Sequence, residues 1–315
     1  MKLRSYAAAA AVAMTATLGA SVASAEGERF VFVSHAPDSD SWWNTIKTSL
    51  SEAEAQLGVT VEYRNPPTGD IADMARIIEQ AAATNPDGII SSLADFDALS
   101  GPLTEAIARG IPVITVNSGT EAQSAEIGAM MHIGQPESLA GLKAGERAMA
   151  EAAPKSFLCV NHYITNAASV DRCAGFAEGI GVELGSQMID SGQDPAEIKN
   201  KVLAYLAANP ETDAVLTLGP TSAAPTIEAL KENGLAGDIY FGTFDLSAEI
   251  SDGIKEDIIS WAIDQQPYFQ GYLPVVLLTN FNRYGLQLPS NIASGPGFVT
   301  KDSIDDVAAM AGVHR

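Results

Sequence analysis

Residues 87–119, DGIISSLADFDALSGPLTEAIARGIPVITVNSG, contain one complete strand–helix–strand unit. The apolar run from Ile89 to Leu93 predicts a buried strand. The helical pattern from about Ala98 to Arg109 stops at Gly110, a residue suited to the left-handed end of a helix, and Ile111 to Val116 predicts the next strand. Strands joined through a helix in this way pair in parallel with a right-handed crossover. The stretch therefore predicts an α/β protein with a parallel sheet.

The same alternation of strand and helix runs along most of the chain. It starts at Phe30, and a long apolar helix is predicted from Pro267 to about Arg283. The units are too many for one ordinary open sheet, so we predict two doubly wound parallel-sheet domains with a seam near residues 130–135. A single TIM barrel is the alternative, because it also repeats strand and helix over about 250 residues.

The first residues have the features of a cleaved export signal. Lys2 and Arg4 precede an Ala-rich apolar run that closes on Ala23-Ser24-Ala25, the small-residue pattern that signal peptidase cuts. We predict a signal peptide over residues 1–25. No cysteine follows it directly, so a periplasmic protein that is not a lipoprotein is expected.

Charge and composition exclude several classes of protein. The 315 residues carry 18 Lys and Arg against 39 Asp and Glu, a formal net charge of −21, and 46% of them are hydrophobic. Such a surface repels nucleic acid and anionic membranes, whereas the apolar content is typical of a globular chain. No later apolar stretch approaches the ~20 residues that cross a bilayer.

The two cysteines, Cys159 and Cys173, are expected to form a disulfide in an exported protein. Metal ligation is the alternative. The sequence disfavours it because none of the four histidines stands at ligand spacing from a cysteine.

Common enzyme motifs are absent from the sequence. There is no G-x-S-x-G elbow, no G-x-x-x-x-G-K-[ST] phosphate loop and no H-E-x-x-H metal helix. We therefore expect a protein that is not an enzyme and needs no cofactor or metal. A secreted α/β enzyme acting on carbohydrate is the alternative, with Asp245 and His162 as its one candidate acid/base pair.

Polar and aromatic residues follow the predicted strands, at the edge where parallel α/β proteins bind ligands. They suit a small neutral polyhydroxy ligand, because aromatic faces stack on sugar rings and Asp, Asn and Arg bond to hydroxyls. For single Asn, Asp and Thr residues the alternative is a helix N-cap, above all for Asp95 and Thr221, and one of two adjacent Trp residues is expected in the core. The candidates are Ser34, His35, Trp42, Trp43, Asp95, Asn117, Ser118, His162, Asn166, Thr221 and Asp245.

Arg172 is a further candidate because of its place in a helix. It falls in the first turns of the helix predicted from Ser169 to Leu184, where the helix dipole disfavours a cation. A ligand or an acidic partner explains a positive charge there. The alternative is a surface salt bridge with Asp171 or Glu178.

With these residues in place, the chain resembles the type I periplasmic binding proteins, in particular the ribose-binding-like sugar receptors of ABC importers. The resemblance covers essentially the whole chain after the signal. It rests on DSDSWWNTIKTSL after the first strand, IPVITVNSG, the R-x-x-G-F run Arg172 to Phe176, GTFD ending at Asp245, and DQQPYFQG from Asp264.

The resemblance implies two lobes that close over one sugar and are joined by three crossovers, near residues 132–135, 263–267 and 292–296. The first lobe would then comprise residues 26–132 and 266–291. The second would comprise residues 133–265 and 292–315.

It also implies roles for particular residues. Trp42 and Trp43 would sandwich the sugar ring, Arg172 and Asp245 would bind hydroxyls, and Gln265 would be a hinge residue that touches the ligand. The disulfide would join a strand to the start of the next helix and so help to aim Arg172.

The sequence departs from the family pattern at two places. Asn117 and Ser118 stand where an Asp and an Arg are usual, and Gly219 to Thr221 lacks the expected Asn. The ligand is therefore expected to differ from ribose, with His35 and His162 available to a bulkier or differently substituted polyol.

The expected function is capture of a small sugar or polyol for an ABC permease by a monomer, with a chemoreceptor as a further partner. A receptor for a nucleoside or a furanose signal is the alternative within the binding class. A repressor-type sensor shares the fold, but a signal sequence stands where its DNA-binding head would be.

Overall fold

The structure, a computed structural model, describes residues 27–315. The predicted signal peptide, residues 1–25, lies outside these described residues. Two separate six-stranded sheets form two α/β domains, called lobes below. The two-domain prediction is therefore confirmed, and the TIM-barrel alternative is wrong, because the strands close no common barrel.

The first lobe is built on a fully parallel sheet. Its strands, in spatial order, are β11 (Ile292–Ala293), β5 (Met131–Gly134), β4 (Val113–Val116), β3 (Gly88–Ser92), β1 (Arg29–Val33) and β2 (Thr60–Arg64). Its helices are α1 (Trp43–Leu57), α2 (Ile71–Ala83), α3 (Phe96–Ala108), α4 (Glu121–Glu126) and α10 (Pro267–Tyr284).

The second lobe repeats this plan. Its strands, in spatial order, are β12 (Gly297–Val299), β10 (Trp261–Asp264), β9 (Tyr240–Phe244), β8 (Ala214–Thr217), β6 (Phe157–Asn161) and β7 (Met188–Asp190), with β12 alone antiparallel. Its helices are α5 (Glu137–Glu151), α6 (Ala167–Ile180), α7 (Pro195–Ala208), α8 (Pro220–Glu232), α9 (Ala248–Lys255) and α11 (Ile304–Val307). Short 3-10 turns lie at Gly185–Gln187 and Ala308–Met310.

Strand β1 shows why each sheet is covered by helices on both faces. Successive side chains of a strand point to opposite faces, and all of Phe30 to Val33 are buried. Phe30 and Phe32 pack with Ile46 of α1 and Leu278 of α10. Val31 and Val33 pack in the cluster on the other face, which includes helices α2 and α3.

The sheet pairing moves two of the expected lobe boundaries. Ile133 pairs with Val116 and Ile292 pairs with Ile133, so residues 133–134 and 292–293, which the sequence prediction gave to the second lobe, belong to the first sheet. The chain therefore crosses between lobes at residues 135–136, 265–266 and 294–296. The prediction missed β11 because two residues in a Gly/Pro-rich tail carry no strand pattern.

Helices α5 and α6 of the second lobe pack unusually closely. Each carries two glycines four residues apart, Gly141 and Gly145 on α5 and Gly175 and Gly179 on α6. A Cβ at Gly175 would overlap the backbone oxygen of Ser138, and one at Gly141 would overlap that of Arg172. The glycines therefore let the two helix backbones touch, which sets the position of the first turns of both helices.

Candidate functional site

The two lobes face each other across a cavity of about 60 Å³ at the carboxyl ends of their strands. This is the edge at which the sequence placed a site, and most of the candidate residues meet there. The candidates that line the cavity are His35, Trp42, Trp43, Asn117, Ser118, His162, Asn166, Arg172, Thr221, Asp245 and Gln265.

Ser34 and Asp95 do not line this cavity, which corrects the prediction for both. The hydroxyl of Ser34 is fully buried and lies 2.6 Å from the hydroxyl of Tyr63 on the neighbouring strand. The carboxylate of Asp95 accepts a hydrogen bond from the backbone N–H of Ala98 at 3.0 Å and so caps α3. Both side chains therefore make their hydrogen bonds within the first lobe.

Trp42 and Trp43 line the cavity without forming a sandwich. Their ring centroids are 5.1 Å apart and the planes are inclined by 77°. A sugar ring cannot fit between two rings in edge-to-face contact, so the expected sandwich is wrong. Both rings also pack in the core of the first lobe. They form an apolar corner, on which a ligand ring can rest against one face.

An aromatic contact joins the two lobes at the cavity. Tyr163, from the loop after β6, stacks on His35 of the first lobe with ring centroids 5.4 Å apart. Burial lowers the pKa of His35 to about 3 and that of His162 to about 4, so both rings are neutral at neutral pH. The stacking of Tyr163 on His35 across the cleft is therefore a contact between uncharged rings at neutral pH.

A chain of amide and hydroxyl groups also crosses the cleft. Asn166 of the second lobe caps α6 through its oxygen and donates its Nδ2–H to Ser118 Oγ at 3.0 Å. Ser118 donates in turn to Asn117, whose Nδ2 donates to Gln265 and Gln270. The Asn117-Ser118 pair therefore supplies hydrogen bonds between the lobes, at the two positions where the family pattern described above has a charged pair.

Asn117 and Asp245 hold equivalent places in the two lobes. Each directly follows a central strand, β4 or β9, and each has a left-handed backbone, with φ of 61° and 65°. Such a conformation is uncommon for residues other than glycine, although Asn and Asp adopt it more readily than most. Here it accompanies side chains that line the cavity from both sides.

The carboxyl group of Asp245 is buried and accepts a hydrogen bond from Gln265 Nε2 at 2.7 Å. Burial raises the pKa of Asp245 to about 7, although Arg172 and Gln265 favour its ionised form. Near neutral pH this side chain therefore exists both as an acid, which can donate, and as a carboxylate, which only accepts.

Arg172 is buried, and its partner is neither Asp171 nor Glu178. Its Nε and Nη2 donate to the two carboxylate oxygens of Glu137, the first residue of α5, at 2.7 and 2.8 Å. Its Nη1 donates to the Leu218 carbonyl at 2.9 Å, and its Cζ lies 4.4 Å from the Phe244 ring centroid. The surface salt-bridge alternative is therefore wrong, and the guanidinium reaches the cavity from a fixed position.

The disulfide between Cys159 and Cys173 is confirmed. It joins strand β6 to helix α6 at the residue after Arg172, with the two Cα atoms 5.9 Å apart.

Removing this disulfide is expected to destabilise the second lobe. It closes a loop with a sequence separation of 14 residues, for which the chain-entropy model gives about 3 kcal/mol. We expect Cys159→Ser/Cys173→Ser to melt several degrees lower in calorimetry and to bind its ligand more weakly, because the start of α6 is less constrained. Reductant should leave the double variant unaffected. Equal melting temperature and affinity would count against both roles.

Several residues at the cavity were missed by sequence reasoning. Asp40 lies in DSDSWWNTIKTSL, from which the prediction took only the two indoles, and Tyr163 lies in the loop after β6. The others lie at strand ends and helix starts: Ala168, Ser169, Leu218, Gly219 and Pro220. Glu137 was missed because its role depends on the contact of α5 with α6. The four-residue glycine spacing in both helices is the one sequence signal that could have indicated that contact.

The cavity has no excess positive charge. Among the described residues that line it, Arg172 is the one permanent cation, and Glu137 holds it in an ion pair. Asp40 and Asp245 add acidic groups. Such a lining suits hydroxyl groups and disfavours a carboxylate or phosphate.

Acid is expected to destabilise the folded protein through its buried histidines. Burial lowers the pKa of His35, His132 and His162 to about 3, 4 and 4, so below about pH 6.5 the unfolded chain binds protons that the folded chain does not. Each group then costs about 1.4 kcal/mol of unfolding free energy per pH unit. Asp245, Asp40 and Asp171 oppose this effect, because burial raises the pKa of each carboxyl group and the folded chain then binds protons that the unfolded chain does not.

Denaturant unfolding at pH 7.5 and pH 5 measures this effect, with His132→Gln as the variant, since His132 lies outside the cavity. We expect the free energy of unfolding to fall between pH 7.5 and pH 5. In the variant the fall should be smaller by the contribution of one buried histidine. A stability that is flat or rises towards pH 5 would contradict the assignment of neutral histidines.

Within residues 27–315, none of the helices is both long and apolar enough to span a bilayer. Within the same residues, no three His, Cys, Asp or Glu side chains are grouped as metal ligands.

Known proteins similar to this chain agree in fold over most of its length. A family model of the periplasmic binding protein domain matches residues 30–282. The xylose/arabinose-binding protein XylF of Sulfolobus acidocaldarius is 22% identical over 289 residues, 88% of this chain and 72% of that protein.

Solved structures extend the comparison. A carbohydrate transporter from Acidothermus cellulolyticus 11B, determined in complex with myo-inositol, is 31% identical, covers 91% of this chain and 98% of its own, and superposes with a TM-score of 0.84. A periplasmic sugar-binding protein of an ABC sugar transporter from Legionella pneumophila is 25% identical and superposes with a TM-score of 0.78. The match covers 85% of this chain and 99% of that protein.

Proposed function

The chain belongs to the periplasmic binding protein family, and we propose that it is the solute-binding protein of an ABC importer that captures a neutral monosaccharide or cyclic polyol between its two lobes. The observation that carries the ligand class is the cavity itself. It combines an indole corner, neutral imidazoles, amides and a guanidinium already paired with Glu137. A single ring bearing several hydroxyls satisfies such a lining, whereas an anion finds the Arg172 guanidinium already paired with Glu137.

The mechanism is capture by closure. The lobes are joined by the three crossovers, by the contacts at the cleft and by the C-terminal His314 and Arg315, which follow the second lobe and contact Glu52 and Thr45 of the first. Rotation about the crossovers, with release of these contacts, opens the cavity to solvent. A ligand that bonds to residues of both lobes favours the closed form and excludes water, which strengthens each hydrogen bond. An ABC permease, and in some systems a chemoreceptor, would then recognise the closed monomer.

Export to the periplasm is part of the proposal. It rests on the signal-like residues 1–25 and on the family of the remaining chain. We infer that cleavage after Ala25 releases a protein without a lipid anchor.

A thermal-shift screen of residues 26–315 tests the ligand class. The relatives point to myo-inositol, xylose and arabinose as the first probes, followed by hexoses, sugar alcohols, nucleosides and the matching uronic acids. We expect one neutral compound to raise the melting temperature and to be recovered unchanged. Turnover of the compound would favour the enzyme alternative, and stabilisation by uronic acids alone would contradict a neutral ligand.

Tyr163 is expected to support affinity through its ring rather than its hydroxyl. The ring stacks on His35 across the cleft, while its buried hydroxyl has no hydrogen-bond partner among the described residues. We expect Tyr163→Ala to weaken binding of the ligand found in the screen by about tenfold, since an aromatic pair contributes ~1 kcal/mol beyond its buried area. Tyr163→Phe should bind like the wild type in calorimetry. Equal losses in both variants would contradict the stacking role.

A further inference from the structure

Glu137 stands behind the cavity rather than in it. It does not line the cavity, yet its carboxylate contacts Arg172, which does. Both side chains are at least nine-tenths buried, with exposed fractions of 7% for Arg172 and 6% for Glu137. Among the residues that line the cavity, the guanidinium of Arg172 is therefore the group that Glu137 contacts through its side-chain hydrogen bonds.

The hydrogen bonds of Arg172 determine which of its donors remain for a ligand. A guanidinium has five N–H donors in a fixed plane. Nε and one N–H of Nη2 are taken by Glu137, and one N–H of Nη1 is taken by the Leu218 carbonyl. One N–H on each Nη remains, and the Phe244 ring lies against the guanidinium at 4.4 Å. The plane and the free edge of the guanidinium are thus fixed before a ligand arrives.

The position of Glu137 is itself fixed from two sides. It is the first residue of α5, where the helix dipole favours a carboxylate. Gln135, in the first crossover between the lobes, donates its Nε2–H to Glu137 Oε2 at 2.8 Å. A continuous series of hydrogen bonds therefore runs from the hinge through Glu137 to Arg172.

We propose that Glu137 is a positioning residue for ligand binding, which presents the two free N–H groups of Arg172 to the hydroxyls of the ligand and links them to the hinge. This inference rests on the proposed function for its ligand. Its structural part, the fixed guanidinium, is independent of any ligand. A carboxylate that only stabilised the fold would change the melting temperature without changing how affinity depends on Arg172.

The test combines two measurements on residues 26–315. In ¹⁵N NMR without ligand, the Nε–H of Arg172 is expected to give a slowly exchanging resonance in the wild type, assigned by its loss in Arg172→Lys, and this resonance should be lost in Glu137→Gln. In calorimetry with myo-inositol, or with whichever neutral probe the wild type binds best in the screen, Glu137→Gln should weaken binding about tenfold. In the Arg172→Lys background the same change should weaken binding less than twofold.

Glu121→Gln is the matched control. Glu121 is the first residue of α4 and lies near the same crossover, without a contact to Arg172 among the described residues. Its replacement with glutamine therefore removes the same charge from the same region. It should retain both the NMR signal and the affinity. If Glu137→Gln does not fold, Glu137→Asp keeps the charge but is too short to hold both fork contacts, and it should show the same losses.

The outcomes separate the inference from the proposed function. Retention of the slowly exchanging signal in Glu137→Gln, or equal affinity losses in the wild-type and Arg172→Lys backgrounds, overturns the positioning role. A wild type that binds none of the probes contradicts the proposed function, while the NMR comparison still decides whether Glu137 fixes the guanidinium.

Discussion

Replacing Arg172 with alanine is expected to weaken ligand binding by at least a hundredfold and also to destabilise the second lobe. The two effects have different causes. The affinity falls because hydroxyl oxygens of the ligand, desolvated in the closed cavity, lose a charged donor, and such unsatisfied groups cost several kcal/mol. The stability falls because Glu137 is left buried without its counter-ion.

A second variant separates these causes. In Arg172→Ala/Glu137→Gln the uncompensated carboxylate is gone, so much of the ~3 kcal/mol of stability lost with a broken buried pair should return. The affinity should stay low, because the donors are still missing. Chemical denaturation measures the first quantity and calorimetry the second. An Arg172→Ala protein with wild-type affinity would show that the guanidinium serves only the fold.

Replacing Gly175 with valine is expected to lower the free energy of unfolding by about 3 kcal/mol or more. The first side-chain carbon would already overlap the Ser138 oxygen and crowd the backbone of α5 at Gly141 and Leu142. Backbone atoms cannot rotate away as a flexible side chain can, so helices α5 and α6 must separate. Because Glu137 begins α5 and Arg172 lies on α6, the same separation should also reduce affinity.

Ala174→Val is the matched control for this variant. Ala174 is the preceding residue of α6 and is exposed, so valine meets no neighbouring helix there. It should cost less than 1 kcal/mol, the difference in helix propensity. Similar losses in both variants would indicate that helix propensity, and not the close approach of the helices, explains the effect.

The fold was largely predictable because burial imposes a pattern on the sequence. Apolar runs such as Ile89 to Leu93 and helix ends such as Gly110 predict the alternating units, and both sheets follow from them. The exceptions are short. Strand β11 is held by pairing with β5 alone, and pairing over two residues leaves no periodicity to detect.

The location of the site was predictable from the sequence, but the orientations of its side chains were less so. Strand ends identify which side chains come together, but not the direction in which each points. Ser34 therefore turned out to face Tyr63, and the two indoles meet edge to face. The partner of Arg172 depends on the contact between helices α5 and α6, because Glu137 and Arg172 are 35 residues apart in sequence. Of the sequence patterns, only the glycine spacing in the two helices indicates that contact.

Calorimetric titration of the wild-type protein with a matched pair of ligands tests the central claim most directly. The pair is the best neutral monosaccharide or cyclic polyol from the screen and the analogue in which one hydroxymethyl or hydroxyl position carries a carboxylate or phosphate. We predict saturable binding of one neutral molecule per chain and at least a hundredfold weaker binding of the charged analogue. Preferential binding of the anion, or no binding of any neutral compound of this class, would contradict the account.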